Sequence, residues 1–181
     1  MNKTQTLLLA FLFVAITIVL RLSDHPWNFS PMGALFLFSG FYLQKRYMWL
    51  PLIALVATDM IIGTYQWQVM MAVYGTYAIM LFGARAIRGV NVSSVLGMSV
   101  GSAILFFITT NFAHWMWFGG YAHDFSGLMQ AYIAAIPFFR NSLMGYVFYS
   151  GLFFAIREIT MIRINEVKVI KGIVIYPNRI T

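Results

Sequence analysis

Long apolar runs, separated by short polar breaks, organise the whole chain. Five of them approach the roughly 20 residues that a membrane-crossing helix needs: Thr4–Leu20, Met48–Gly63, Val69–Ala84, Ser94–Ala113 and Asn141–Ile156. A sixth, Pro31–Leu43, is apolar but short. At 1.5 Å per residue it covers only about 20 Å of a hydrocarbon core about 30 Å thick. Ser30–Pro31 fits an N-cap followed by the first helical position, so the helix is expected to start there. Asp24–Phe29 is then left non-helical at membrane depth, which is tolerated only where backbone is buried in protein or lines a cavity. A seventh segment, Gly127–Phe138, is short and interrupted by Pro137. It reads as a re-entrant or interfacial helix before the last span. The pattern predicts an all-α membrane protein with six transmembrane helices, forming a single domain over residues 1–157.

Residues 158–181 read as a basic tail. Within it Glu166–Ile170 and Ile173–Tyr176 flank Lys171-Gly172 in the manner of a β-hairpin. The same tail could equally rest on anionic lipid or serve as a docking surface. Gly97 and Gly101, with Ser94 and Ser102 nearby, form a strip of small residues that is expected to pack closely inside the bundle. No small-x-small cleavage site follows the first apolar run, so that run is expected to be a retained helix rather than a signal peptide.

Composition supports the membrane reading. Of 181 residues 61% are hydrophobic and 9% charged, against roughly 45–50% and 25% in soluble domains. A soluble domain and a disordered chain are thereby excluded. The absence of cysteine removes disulfides, thiolate metal sites and thiol nucleophiles. The net charge of +7 would suggest a nucleic-acid partner in a soluble protein, but here its placement matters more than its size. With six spans, Lys3, Lys45, Arg46, Arg85, Arg88, Arg157, Arg163, Lys168, Lys171 and Arg179 fall on one side, and only Arg21 and Arg140 on the other. The positive-inside rule then predicts an inner-membrane protein with both termini cytoplasmic.

That orientation sorts the polar residues. His25, His114, His123, Asp24, Asp59 and Asp124 gather on the outer side with Arg21, Arg140, Asn28, Asn111, Asn141 and Trp115. Polar and ionisable residues near a membrane core are costly and point to a functional site. Asp59, near the outer end of its span, calls for a partner, and Arg21 is the natural one. The pair would either staple two helices or contact a ligand. Arg140 would either snorkel to the interface or clamp an anionic group. Trp115 suits an aromatic belt, which does not account for Asn111. Histidine spacing offers no i, i+4 metal pair, and neither P-loop, hydrolase elbow nor dinucleotide fingerprint occurs. No enzyme, metal or cofactor is expected.

The combination Arg21-x-x-x-His25-x-x-Asn28-Phe-x-Pro31, Pro51 with Asp59, Thr110-Asn111-Phe-x-x-Trp115, Gly127-Leu with Tyr132, and Ala135-Ile-Pro-Phe-Phe-Arg140-Asn141 resembles a family of small, uncharacterised bacterial inner-membrane proteins. That family is in turn distantly similar to the S components of energy-coupling-factor transporters. The resemblance implies capture of a vitamin-like molecule or metal in an outward-facing pocket, uptake by movement of the whole bundle, and either an energising transporter module as partner or, as in some relatives including a cobalamin-type group, action alone. The first span lacks the Ala-x-x-x-Ala patch through which S components meet that partner, since Ala10 and Ala15 have another spacing. The expected ligand-binding set is Arg21, His25, Asn28, Asp59, Asn111, His114, Trp115, Arg140 and Asn141, with the lipid bilayer and a small molecule as partners. Two rival readings are a non-transporting assembly factor or scaffold, whose outer polar residues would be a filled network, and an intramembrane enzyme using Asp59 or His114 as acid or base.

Overall fold

Leucine-, phenylalanine- and alanine-rich runs leave the backbone no partner but itself in an apolar medium, and each of them folds into helix. The computed structural model describes residues 3–24 and 26–170, the side chains of 165–170 excepted. It contains six helices: α1 Lys3–Leu22, α2 Met32–Tyr42, α3 Leu50–Ile62, α4 Trp67–Ala86, α5 Val92–Trp117 and α6 Phe125–Ile170. No strand occurs among the described residues.

The short apolar segment begins one residue later than its sequence suggests. Pro31 is the N-cap of α2, and the Ser30 hydroxyl accepts a hydrogen bond from Met32 N at 3.3 Å. This helix is the centre of the bundle: its first nine residues, Met32–Gly40, are all buried. Phe13 of α1 lies edge-on to Phe38, with centroids 4.8 Å apart, and stacks on Phe153 of α6 at 4.2 Å. Phe36 stacks on Tyr77 of α4 at 4.7 Å. Gly40 lets α2 and α4 approach closely, since a Cβ there would overlap the Leu81 carbonyl and the Ala84 side chain.

Three expectations need correction. Among the described residues three helices, not six, are long and apolar enough to cross a membrane: α1, α4 and α5. The apolar helices α2 and α3 have only 11 and 13 residues, about 17 and 20 Å of rise. The expected re-entrant helix is not a separate element. It is continuous with the last span as α6, 46 residues long with Pro137 inside. Pro137 is exposed on the surface of α6, and the helix continues through it. Thirdly, Gly97 and Gly101 are exposed and a Cβ on either would meet nothing within 4 Å. Close helix approach occurs instead at Gly40 and at Gly33, where a Cβ would overlap the Tyr146 ring.

Helix α6 passes through residue 158, the expected start of the tail, without interruption. It carries residues 166–170, the first arm of the expected hairpin, as helix. The turn and second arm lie outside the described residues, as does His25.

The contacts define two ends. At one, Arg85 Nη1 donates to the Leu43 carbonyl at 2.8 Å, and the Arg157 guanidinium lies 4.0 Å over the Tyr42 ring. Lys3 lines a cavity with Tyr42 and Tyr47 there. At the other end, about 30 Å along α1, lie Arg21, Asp59 and the α5–α6 connection.

Candidate functional site

Helix α3 turns one stripe inward. Pro51, Ala54, Leu55, Thr58 and Asp59 are its buried residues, at the i, i+3, i+4 spacing of a single face. Asp59, one turn from the C-terminus of α3, is thereby carried into the interior and is only 2% exposed. Helix α1 delivers Arg21 from its own last turn. Arg21 Nη2 donates to Asp59 Oδ1 at 2.5 Å, and Nη1 donates to Thr58 Oγ1 at 2.7 Å. Tyr74 of α4 donates its hydroxyl to Asp59 Oδ2 at 2.7 Å. The Thr58 hydroxyl in turn donates back to the Ala54 carbonyl at 2.8 Å. Both carboxylate oxygens are therefore occupied, and one ionic cluster ties α1, α3 and α4 together.

The cluster is asymmetric. Its carboxylate side chain is 3% exposed and its guanidinium 19%. A buried carboxylate without a counter-charge would cost several kcal/mol, whereas an arginine at a helix end keeps a route to water along its own stem. Tyr65, in the turn between α3 and α4, is exposed to the same charge. Partial burial first, and then the Asp59 carboxylate, push its phenol up, so it stays a neutral donor.

A second group forms around the non-helical stretch between α1 and α2. Asn28 adopts a positive φ of 64°, a conformation asparagine tolerates better than most residues. The turn is closed by Phe29 N donating to the Pro26 carbonyl at 2.9 Å. Asn141 of α6 donates to the Trp27 carbonyl at 2.9 Å, and the Phe29 ring packs on Tyr149 with centroids 5.3 Å apart. The stretch thus touches α6 at Trp27 and Phe29, but Asp24, Pro26, Trp27 and Asn28 are exposed rather than buried in protein as the sequence suggests. Arg140, next to Asn141, is exposed.

The third group stays on α5. Asn111 donates to the Phe107 carbonyl of its own helix at 2.7 Å. His114 stacks on Phe118 at 4.4 Å, and Trp115 Nε1 donates to the Ala122 carbonyl at 2.9 Å, closing the α5–α6 connection. Among the described residues, hydrogen bonds join Arg21 to Asp59 and Asn141 to the Asn28 turn, but do not join either group to Asn111, His114 or Trp115. The eight described residues of the expected set thus share an end of the bundle without forming a single constellation. No group of three His, Asp or Glu suited to a metal ion occurs among the described residues.

A family model described as a family of unknown function, DUF6580, matches residues 1–168. The chain belongs to DUF6580. The DUF6580 match takes in α1 to α5 whole and α6 to within two residues of its end, so the Arg21–Asp59 cluster and the basic end belong to the same unit. No curated protein and no solved structure matches the chain.

Sequence reasoning missed Thr58 and Tyr74. The signal for Tyr74 was available in the connection: α3 and α4 are joined by a four-residue turn, residues 63–66, which Asp59 precedes by four residues and Tyr74 follows by eight. Asp59 and Tyr74 therefore lie only a few ångströms apart in depth, within reach of a phenol. Two cavities lie away from these three groups. One, of about 10 Å³, is lined by Phe38, Tyr42, Ser150 and Phe153 among others. The other, of about 140 Å³, lies beside Lys3.

Proposed function

We propose that the protein is an integral membrane protein that binds a small polar solute at the end bearing Arg21 and Asp59, in the manner of a transporter substrate-binding component, and serves its uptake. In this reading it lies in the inner membrane of a bacterium with both termini cytoplasmic, and an energising module is its partner. The observation that carries the reading is the asymmetric pair: a buried carboxylate holds a partly exposed guanidinium in a fixed position at the mouth of three helices. Each terminal nitrogen of Arg21 already donates once within the protein, and the remaining N–H groups of a guanidinium so held suit a carboxylate or other planar polar group. Arg140 and Asn141 beside the Asn28 turn would supply further contacts, and the turn is the segment best placed to move aside for the solute. Binding and release need no covalent step, so the reading assigns no catalytic residue.

The scaffold reading has an observation of its own. Every polar atom of the Asp59 carboxylate is already satisfied within the protein, as a packed network would require. Mass spectrometry of small molecules co-purifying with the full chain decides between the two. Under the uptake reading a solute is enriched at least tenfold over Arg21→Lys, which keeps the charge but loses the forked donor. Equal recovery from both proteins sinks uptake and leaves the scaffold.

A further inference from the structure

The 140 Å³ cavity lies at the end of the bundle away from the Arg21–Asp59 cluster, and its walls have a distinct chemistry. The first two turns of α1 contribute Lys3, Thr6 and Leu7, which the i, i+3, i+4 spacing sets on one face. The end of α2 contributes Tyr42, and the turn leading to α3 contributes Gln44 and Tyr47. The lining residues therefore carry one ammonium, one amide and the hydroxyls of Thr6 and Tyr47, with the Tyr42 hydroxyl sealed from the surface, and no carboxylate.

Two further cations stand behind these walls. The Arg157 guanidinium lies 4.0 Å over the Tyr42 ring and the Arg46 guanidinium 4.4 Å over the Tyr47 ring. Glu158 offsets Arg157 alone. A volume of about 140 Å³ is room for a compact, several-oxygen anion. Donors converging from α1 and from the turn before α3 suit a group with several acceptor oxygens better than a planar carboxylate. The position completes the argument: Lys3 is at the very start of a helix whose length of 20 residues matches the hydrocarbon core, so the cavity sits at headgroup depth if α1 crosses the bilayer.

We infer that this cavity binds a net-anionic phosphate group, one that carries no cation of its own, with Lys3 as its charged anchor and Gln44 and the Tyr47 hydroxyl as orienting donors. The inference is independent of the solute-uptake reading and concerns the opposite end of the protein. Its two sources of ligand are a phospholipid headgroup and free phosphate.

Native mass spectrometry of the full chain, released from nanodiscs of phosphatidylglycerol or of phosphatidylcholine, tests it. One retained phosphatidylglycerol per chain is expected, at least fivefold more than phosphatidylcholine. Lys3→Gln alone, and Lys3→Gln with Gln44→Leu, should each reduce the adduct at least fivefold. Arg88→Gln, a basic residue of the same end outside the cavity, should leave it unchanged. Loss of the lipid adduct in 10 mM inorganic phosphate would assign the site to free phosphate, and its persistence would assign it to the headgroup. Equal retention of both lipids without phosphate binding, or equal loss in Lys3→Gln and Arg88→Gln, overturns the inference.

Discussion

Asp59 and Arg21 carry unequal shares of one interaction. Removing the arginine strands a carboxylate that is 3% exposed, while removing the carboxylate leaves a guanidinium that is 19% exposed and can reach out. Arg21→Leu is therefore expected to cost about 3–5 kcal/mol and Asp59→Leu about 1–3. The double variant should be more stable than Arg21→Leu alone, because it buries no unpaired charge. Tyr74→Phe, which removes one hydrogen bond to a charged acceptor, should cost about 1.5–3 kcal/mol. Thermal unfolding in detergent reads all four, and a double variant as unstable as the sum of the singles would contradict the pairing. The pair itself was legible in the sequence, since a lone aspartate in an apolar run demands a counter-charge and Arg21 was the nearest at matching depth. Tyr74 was not, because tyrosine is common in aromatic-rich spans for reasons of packing alone. Asn111 and His114 mark the opposite failure: a polar strip on one helix looks like a site, yet Asn111 bonds its own backbone and His114 stacks on Phe118.

At the level of helices, the apolar runs announced α1 to α5 to within four residues at each end, whereas α6 was expected as two separate segments ending at Ile156 and runs on to Ile170. What the pattern could not reveal was which interruption breaks a helix. Pro137 with Arg140-Asn141 three residues on would end a helix in water, and the sequence reads that way. In the structure α6 continues through it. The glycines teach a similar lesson. The spacing of Gly97 and Gly101 suggested an interface, but spacing does not say which face turns inward. Gly40, with no such motif, is where two backbones meet. Gly40→Val should therefore destabilise the protein by at least about 2 kcal/mol through overpacking against α4, and Gly97→Ala should change stability by under about 0.5 kcal/mol or raise it slightly. Melting curves of the two variants check the contrast, and an equally tolerant Gly40 would mean that α2 and α4 are not in contact.

Across the whole molecule, charge is polarised. Lys3, Lys45, Arg46, Arg85 and Arg157 stand at one end, and Arg21, Asp59, His114 and His123 at the other. The chain contains no cysteine, so single cysteines report position without background. Lys45→Cys and His123→Cys in reconstituted vesicles should react with an impermeant maleimide from opposite sides, and labelling of both from one side would overturn the polarity.

Helix α6 rises about 20 Å from Arg157 to Ile170. A protein otherwise made of greasy cylinders and tight corners thereby offers one stiff mast. Splicing a soluble helical protein in frame after Ile164 would prolong that mast and yield an asymmetric particle, large enough to align in electron micrographs that a 181-residue chain could never populate with usable contrast.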